Sequence, residues 1–195
     1  LYNEVQDKYL NMSKEESLPY FRAYGLKEEL AKLRNDLSQF RVEYDVWTSE
    51  QSIYDRHMVE KAVDKLKALD MTYEFEDALW LKTTAFGDDK DRVIVRSNGL
   101  YTYLTPDIAY HIDKFERGFD RLVNFLGTDH HGYINRLKAA VQALGYDKDR
   151  LEIDIIQMAR MIKDGEEFKM SKRTGKAVAL KDLLDEAGVD AVRYY

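Results

Sequence analysis

The chain has 195 residues, of which 45% are hydrophobic and 34% charged, with a formal net charge of −6, two prolines, ten glycines and no cysteine. That length supports a sizeable buried core without disulfides or metals, and the composition excludes collagenous, low-complexity and disulfide-rich architectures. Thiolate metal sites and cysteine nucleophiles are excluded too. No run approaches the roughly 18 apolar residues of a membrane span, and no apolar segment follows a basic N-terminus as in a signal peptide. No membrane partner is therefore expected, and the reading is of a cytoplasmic protein. The net charge does not decide whether RNA is bound, because a local basic patch on an acidic chain still attracts a phosphate backbone. The sequence starts at Leu1 and stops at Tyr194-Tyr195 within a helical pattern, which predicts a piece of a longer polypeptide.

Over residues 14 to 39, Leu18, Phe21, Leu26, Leu30, Leu33 and Leu37 fall largely at helical spacing among charged residues, predicting an amphipathic helix with breaks near Pro19 and Gly25. Phe40, Val42, Tyr44 and Val46 then alternate with Arg41, Glu43 and Asp45, the period-two pattern of a half-buried strand over 40 to 47. Helical spacing returns over 55 to 69 through Met58, Ala62, Leu66 and Leu69. Strands over 72 to 83 and 92 to 96, the turns Gly87-Asp88-Asp89 and Ser97-Asn98-Gly99, and a further strand over 101 to 104 predict a small antiparallel meander.

From residue 105 helices and strands alternate: helix 105 to 117, strand 121 to 126, helix 132 to 145, strand 151 to 156. Such βαβ grammar predicts a parallel sheet with right-handed crossovers, so the fold class is α/β. In open sheets of this kind ligands collect at the carboxyl ends of strands, which marks the junction from Gly127 to Gly132. Thr105 is expected to cap the helix, with Pro106 at its first position and Asp107 in its first turn, where a carboxylate favours the helix dipole. Asp107 lies four residues from Tyr103, so the same aspartate can accept a guanidinium fork beside a tyrosine. Asp129, His130 and His131 are adjacent acidic and imidazole groups, but three consecutive residues do not easily converge on one ion, and no metal site is assigned. Turn chemistry alone explains Asp129.

The sharpest local signal is Phe168-Lys169-Met170-Ser171-Lys172-Arg173-Thr174-Gly175. Two lysines, an arginine and a hydroxyl beside a glycine suit a triphosphate and the charge that develops on leaving pyrophosphate, although a solvated basic turn has the same composition. The order Lys-Met-Ser-Lys-Arg resembles the KMSKS signature of class I aminoacyl-tRNA synthetases. With Tyr101 to Tyr110, Gly127 to Tyr133 and Val189 to Tyr194 in that order, the chain is similar to the later part of the catalytic domain of arginyl-tRNA synthetases. The resemblance covers most of the chain and is strongest after residue 80.

That resemblance implies the C-terminal half of a Rossmann-like parallel-sheet catalytic domain, with a helical and antiparallel insertion over residues 1 to 100 and the nucleotide-binding remainder over 101 to 195. It implies an arginine-tRNA ligase with ATP and accompanying Mg2+ and with arginine and tRNA as partners; a monomeric parent is expected. By the same resemblance Tyr103, Asp107 and His130 contact arginine. His130, Lys169, Met170, Ser171 and Lys172 hold ATP, and Lys169, Ser171 and Lys172 stabilise the transferring phosphates. The family's HIGH signature is not found in the chain and the anticodon-binding domain is missing, so the piece by itself is expected to be inactive. The competing readings are another class I synthetase and a non-catalytic RNA-binding relative. In the full-length protein, Lys172→Ala is expected to lower the pyrophosphate-exchange rate more than arginine affinity; an unchanged rate would remove the loop from the mechanism.

Overall fold

The computed structural model describes Tyr9, residues 11–157, 162–163, 165–167 and 179–194. Two units are separable, Thr48–Arg160 and a second formed by Leu1–Trp47 with Met161–Tyr195.

In the second unit, α1 (Lys14–Gln39) starts at a capping box in which the Ser13 hydroxyl accepts from the Glu16 N–H while Glu16 accepts from the Ser13 N–H. It runs without interruption through Pro19 and Gly25, contrary to the predicted breaks. One proline removes one intrahelical bond and one glycine costs about 1 kcal/mol against alanine, and 26 residues of helix carry both. Arg41 then adopts φ +59°, and the Val42 N–H bonds back to the Leu37 carbonyl, which closes the helix in a Schellman turn. The strand predicted over 40 to 47 does not form. Among the described residues no strand pairs with this segment, and Trp47 instead takes the Arg34 guanidinium over its ring at 4.7 Å. Near the other end of this unit lie the short antiparallel pair β6 (Ile162–Lys163) and β7 (Glu166–Glu167), then α6 (Leu180–Ala187) and α7 (Val189–Tyr194). Arg193 donates to the Phe40 carbonyl at 2.8 Å, and Arg41 pairs with Asp190 at 2.7 Å.

Thr48–Arg160 carries the main core. The helix predicted over 55 to 69 forms as α3 (Met58–Ala68), starting three residues late because His57 holds φ +53° and separates it from a short preceding helix, α2 (Glu50–Asp55). A three-stranded antiparallel meander follows: β1 (Thr72–Phe75), β2 (Ala78–Leu81) and β3 (Arg92–Val95), in that spatial order. The single strand read over 72 to 83 is a hairpin whose central residues, Glu76 and Asp77, hold φ +51° and +57°, the pairing of left-handed residues that a type I′ turn requires. Beyond β3 only an isolated bridge joins Tyr101 to Val95.

Next come α4 (Leu104–Glu116), β4 (Leu122–Gly127), α5 (Tyr133–Ala143) and β5 (Leu151–Ile156), with β4 and β5 parallel, so the chain is α/β with both a parallel and an antiparallel sheet. One core gathers Val59, Ala62 and Leu66 of α3, Leu81 of β2, Ile94 of β3 and Ile108 of α4. A smaller one packs Phe115, Leu137, Val141 and Leu151 between α4, α5 and β5. α4 starts at Leu104, so Thr105 is inside the helix rather than its cap. Its buried hydroxyl donates to the Ile94 carbonyl at 2.6 Å and ties α4 to the meander. Pro106 still costs no helical bond, since the first-turn N–H groups have no intrahelical acceptor.

The turn between β2 and β3 is held by a buried ion pair, with Arg92 donating to both Asp88 oxygens at 2.7 and 2.8 Å. Burial pushes the Asp88 carboxyl up, but the bonds from Arg92 and from Asp89 outweigh it and hold the group at about 2. Asp88→Asn is expected to destabilise the fold by about 3 kcal/mol at neutral pH, because the buried Arg92 charge loses its buried counter-charge and one of its two acceptors on residue 88. In thermal melts against pH, that gap narrows as pH falls below about 4 and through about 2, where the wild-type carboxyl protonates as well. A gap independent of pH would contradict this role.

Candidate functional site

The carboxyl end of β4 leads through a 3-10 turn, Thr128–His130, into the N-terminus of α5. Facing it is the start of α4, where Tyr103 and Asp107 lie one helical turn apart and so share a face. A cleft of about 380 Å³ between these elements is lined by Tyr103, Asp107, Leu126, Asp129, His130, Gly132, Tyr133 and Arg136. A second lobe of about 300 Å³ shares Tyr103 and Asp107 and is lined by Thr48, Glu50, Ile53, Pro106 and Tyr110 in addition. Both lobes therefore share Tyr103 and Asp107, and a carboxylate from α2, Glu50, lines the second.

Asp107 does not stand alone. Its carboxylate accepts a short hydrogen bond from the Tyr133 hydroxyl, whose ring lies 5.9 Å from that of Tyr103 and 6.4 Å from that of His130. Burial, then the bond to Asp107, push the Tyr133 hydroxyl well above the ordinary tyrosine range, so it remains a protonated donor. Arg136 donates to the Tyr103 hydroxyl and holds its guanidinium carbon 5.4 Å from the Tyr133 ring centre. Tyr133 and Arg136 are three residues apart on α5, which puts both on the face turned to α4.

Of the residues singled out from sequence, Tyr103, Asp107 and His130 line one cleft. Asp129 lines it too and lies 3.7 Å from the His130 ring nitrogen, as an exposed pair. His131 is exposed and is not among the lining residues. Lys169, Met170, Ser171 and Lys172 fall outside the described residues. Of the cleft residues that the sequence reading did not assign, three carry the polar chemistry. Tyr133 and Arg136 had a legible signal, an i, i+3 pair opening the helix after the strand end, whereas Glu50 reaches the cleft only through the fold. Among the described residues no group of three or more His, Asp or Glu side chains is arranged to hold a metal ion.

The family model for the catalytic domain of class I (R) tRNA synthetases matches residues 11–194. The chain belongs to that family. Over 97% of its length it is 58% identical to an arginine-tRNA ligase of Halalkalibacterium halodurans, and over its whole length 55% identical to that of Bacillus subtilis. It spans 34% and 35% of those two relatives, about a third of each. A solved structure from Campylobacter jejuni assigned to the arginyl-tRNA synthetases superposes with a TM-score of 0.85 at 39% identity, covering 97% of this chain and 42% of that one. The Thermus thermophilus arginyl-tRNA synthetase shares the fold, with a TM-score of 0.69 at 17% identity over 95% of this chain and 38% of its own.

In this class I synthetase domain a buried histidine sets the floor beneath Asp107. His111 Nδ1 lies 2.7 Å from the Asp107 carbonyl oxygen, which only accepts, so Nδ1 carries the proton. Nε2 is then the acceptor for the Asn124 amide of β4 at 2.8 Å. Burial pushes the His111 ring below its ordinary range and outweighs the favourable bonds, so the ring is neutral in the fold. A histidine that is neutral when folded and basic when unfolded costs stability as pH falls below the unfolded value of 6.5, and the loss levels off below the folded value. Melting temperature is expected to decline across that window, with the decline reduced in His111→Gln; an equally steep decline in the variant would assign it to other histidines.

Proposed function

We propose that the chain is part of an arginine-tRNA ligase that activates arginine with ATP and passes it to tRNA, and that the two-lobed cleft around Asp107 receives the amino acid's side chain. The observation that carries the reading is the pairing of Asp107 with a second carboxylate, Glu50, on a cleft walled by Tyr103 and Tyr110. A guanidinium presents five N–H donors in one plane, and one carboxylate satisfies only one fork of them. A second acceptor lining the same cavity can take the rest, while the tyrosine faces favour a flat cation. Lysine, a point charge on a flexible stem, gains less from such a slot, which supplies a physical basis for selection. The names of the relatives support the same activity. Since the chain spans about a third of their length, ligase activity, ATP and tRNA are assigned to the full-length protein.

The reaction needs no side-chain nucleophile. The arginine carboxylate attacks the α-phosphorus, a new P–O bond forms as the bond to the bridging oxygen breaks, and pyrophosphate leaves. A hydroxyl of the terminal ribose of tRNA then attacks the activated carbonyl and AMP departs. His130, at the strand end, is assigned to line the ATP and amino-acid site, and Lys169, Met170, Ser171 and Lys172 to hold the phosphates, where positioned charge lowers the barrier. Magnesium is expected to arrive on the phosphates of ATP, and no step here is routed through it.

Pyrophosphate exchange by the full-length protein, scanned over amino acids with and without tRNA, is the test. Exchange with arginine and none with lysine is expected, and exchange with a different amino acid would end the reading. Asp107→Asn and Glu50→Gln each remove a charged acceptor and are expected to raise KM for arginine by about tenfold or more. Tyr133→Phe leaves the ring in place and is expected to raise it by about threefold to tenfold, because Asp107 loses the donor that orients it.

A further inference from the structure

Both polar groups that the arginine reading places at the centre of the cleft are already engaged by the chain itself. The Asp107 carboxylate accepts from Tyr133, and the Tyr103 hydroxyl accepts from Arg136. Arg136 therefore brings a guanidinium of the chain's own to the wall that lies between the two lobes. Its planar group faces two tyrosine rings, at 5.4 Å from Tyr133 and 5.9 Å from Tyr103, the surroundings expected to attract the side chain of a bound arginine.

The seat is imperfect. Arg136 Nε is buried and has no hydrogen-bond partner, so this conformation leaves a donor uncompensated that water would satisfy if the side chain swung outward. Among the described residues only one other buried side-chain atom is in that position, Glu60 Oε2, and it lies on α3 away from the cleft's lining residues.

We infer that Arg136 is an internal competitor for the arginine subsite, a residue that sets arginine affinity by occupying Tyr103 with a second guanidinium. The inference rests on the arginine reading above. A substrate guanidinium on Asp107 meets the like charge of Arg136 beside it and loses Tyr103 as a free acceptor, or else displaces Arg136 and forfeits its ring contacts. Either route weakens binding of a cation relative to a chain without Arg136. The neutral ureido analogue citrulline has nearly the same shape and feels only the displacement, so it is less affected.

The experiment is isothermal titration of arginine and of citrulline into the full-length wild-type protein and into its Arg136→Gln, Arg136→Met and Asp107→Asn variants, each checked by thermal melting. Arg136→Met keeps the apolar stem against the tyrosine rings and guards against a packing defect in Arg136→Gln. Both are expected to bind arginine about fivefold more tightly than wild type, with a smaller gain for citrulline. Equal or weaker arginine binding in both variants would overturn the inference, as would equal gains for the two ligands. If Asp107→Asn weakens binding while neither Arg136 variant tightens it, only the inference falls. If wild type binds no arginine and Asp107→Asn changes nothing, the arginine reading falls and takes the inference with it.

Discussion

Helix α4 is buried along most of its length, and a buried helix carrying polar side chains is stable only if each of them finds a partner. That requirement fixes its position. Thr105 donates to the Ile94 carbonyl of the meander, His111 bonds to the Asp107 carbonyl and to Asn124 of β4, and Asp113 takes Arg56 at 3.0 Å and Arg117 at 3.3 Å. The helix is thus tied to the antiparallel sheet at one end and to the parallel pair further along. Tyr103, exposed, and half-buried Asp107, at its beginning, inherit their placement from these bonds. The cleft follows from how α4 is satisfied, more than from any feature of the cleft itself.

From that anchor the site is assembled by three other elements. The end of β4 and the turn after it bring His130, α5 brings Tyr133 and Arg136, and α2 brings Glu50. The hydrogen bond from Tyr133 to Asp107 closes α5 onto α4. A carboxylate held in that way has one face committed to the protein and one available to a ligand, which is what a pocket selecting a planar cation requires. The same closeness brings a side chain of the protein itself, Arg136, onto the hydroxyl of Tyr103, a residue shared by both cavities.

The alternation of helix and strand after residue 104 was legible, because each segment carries an uninterrupted periodicity and β4 and β5 pair in parallel as that grammar demands. The meander was legible in outline. Its hairpin at Glu76-Asp77 was not, since a type I′ turn built from two acidic residues lacks the asparagine or glycine that ordinarily announces it. The strand expected over 40 to 47 failed for a different reason: alternation describes a strand only when another strand lies beside it, and pairing is a property of the whole fold. Arg41 and His57, both at positive φ, set a helix end and a helix start, and Arg41 does so without the side-chain preference for that conformation that asparagine, aspartate or histidine has. At the cleft, Tyr103 and Asp107 could be read from their spacing and Tyr133 and Arg136 from theirs, whereas Glu50 is brought in from 53 residues before Tyr103 by packing alone.

The role proposed for Asp107, in a cavity it shares with Glu50 and Tyr103, is to receive a guanidinium. The most direct measurement is a crystal structure of the full-length protein with arginine bound. The account predicts the guanidinium between the two carboxylates, hydrogen-bonded to Asp107 and within the lobe lined by Glu50, Tyr103 and Tyr110. Arginine bound with its guanidinium elsewhere, and Asp107 still facing only Tyr133, would contradict it.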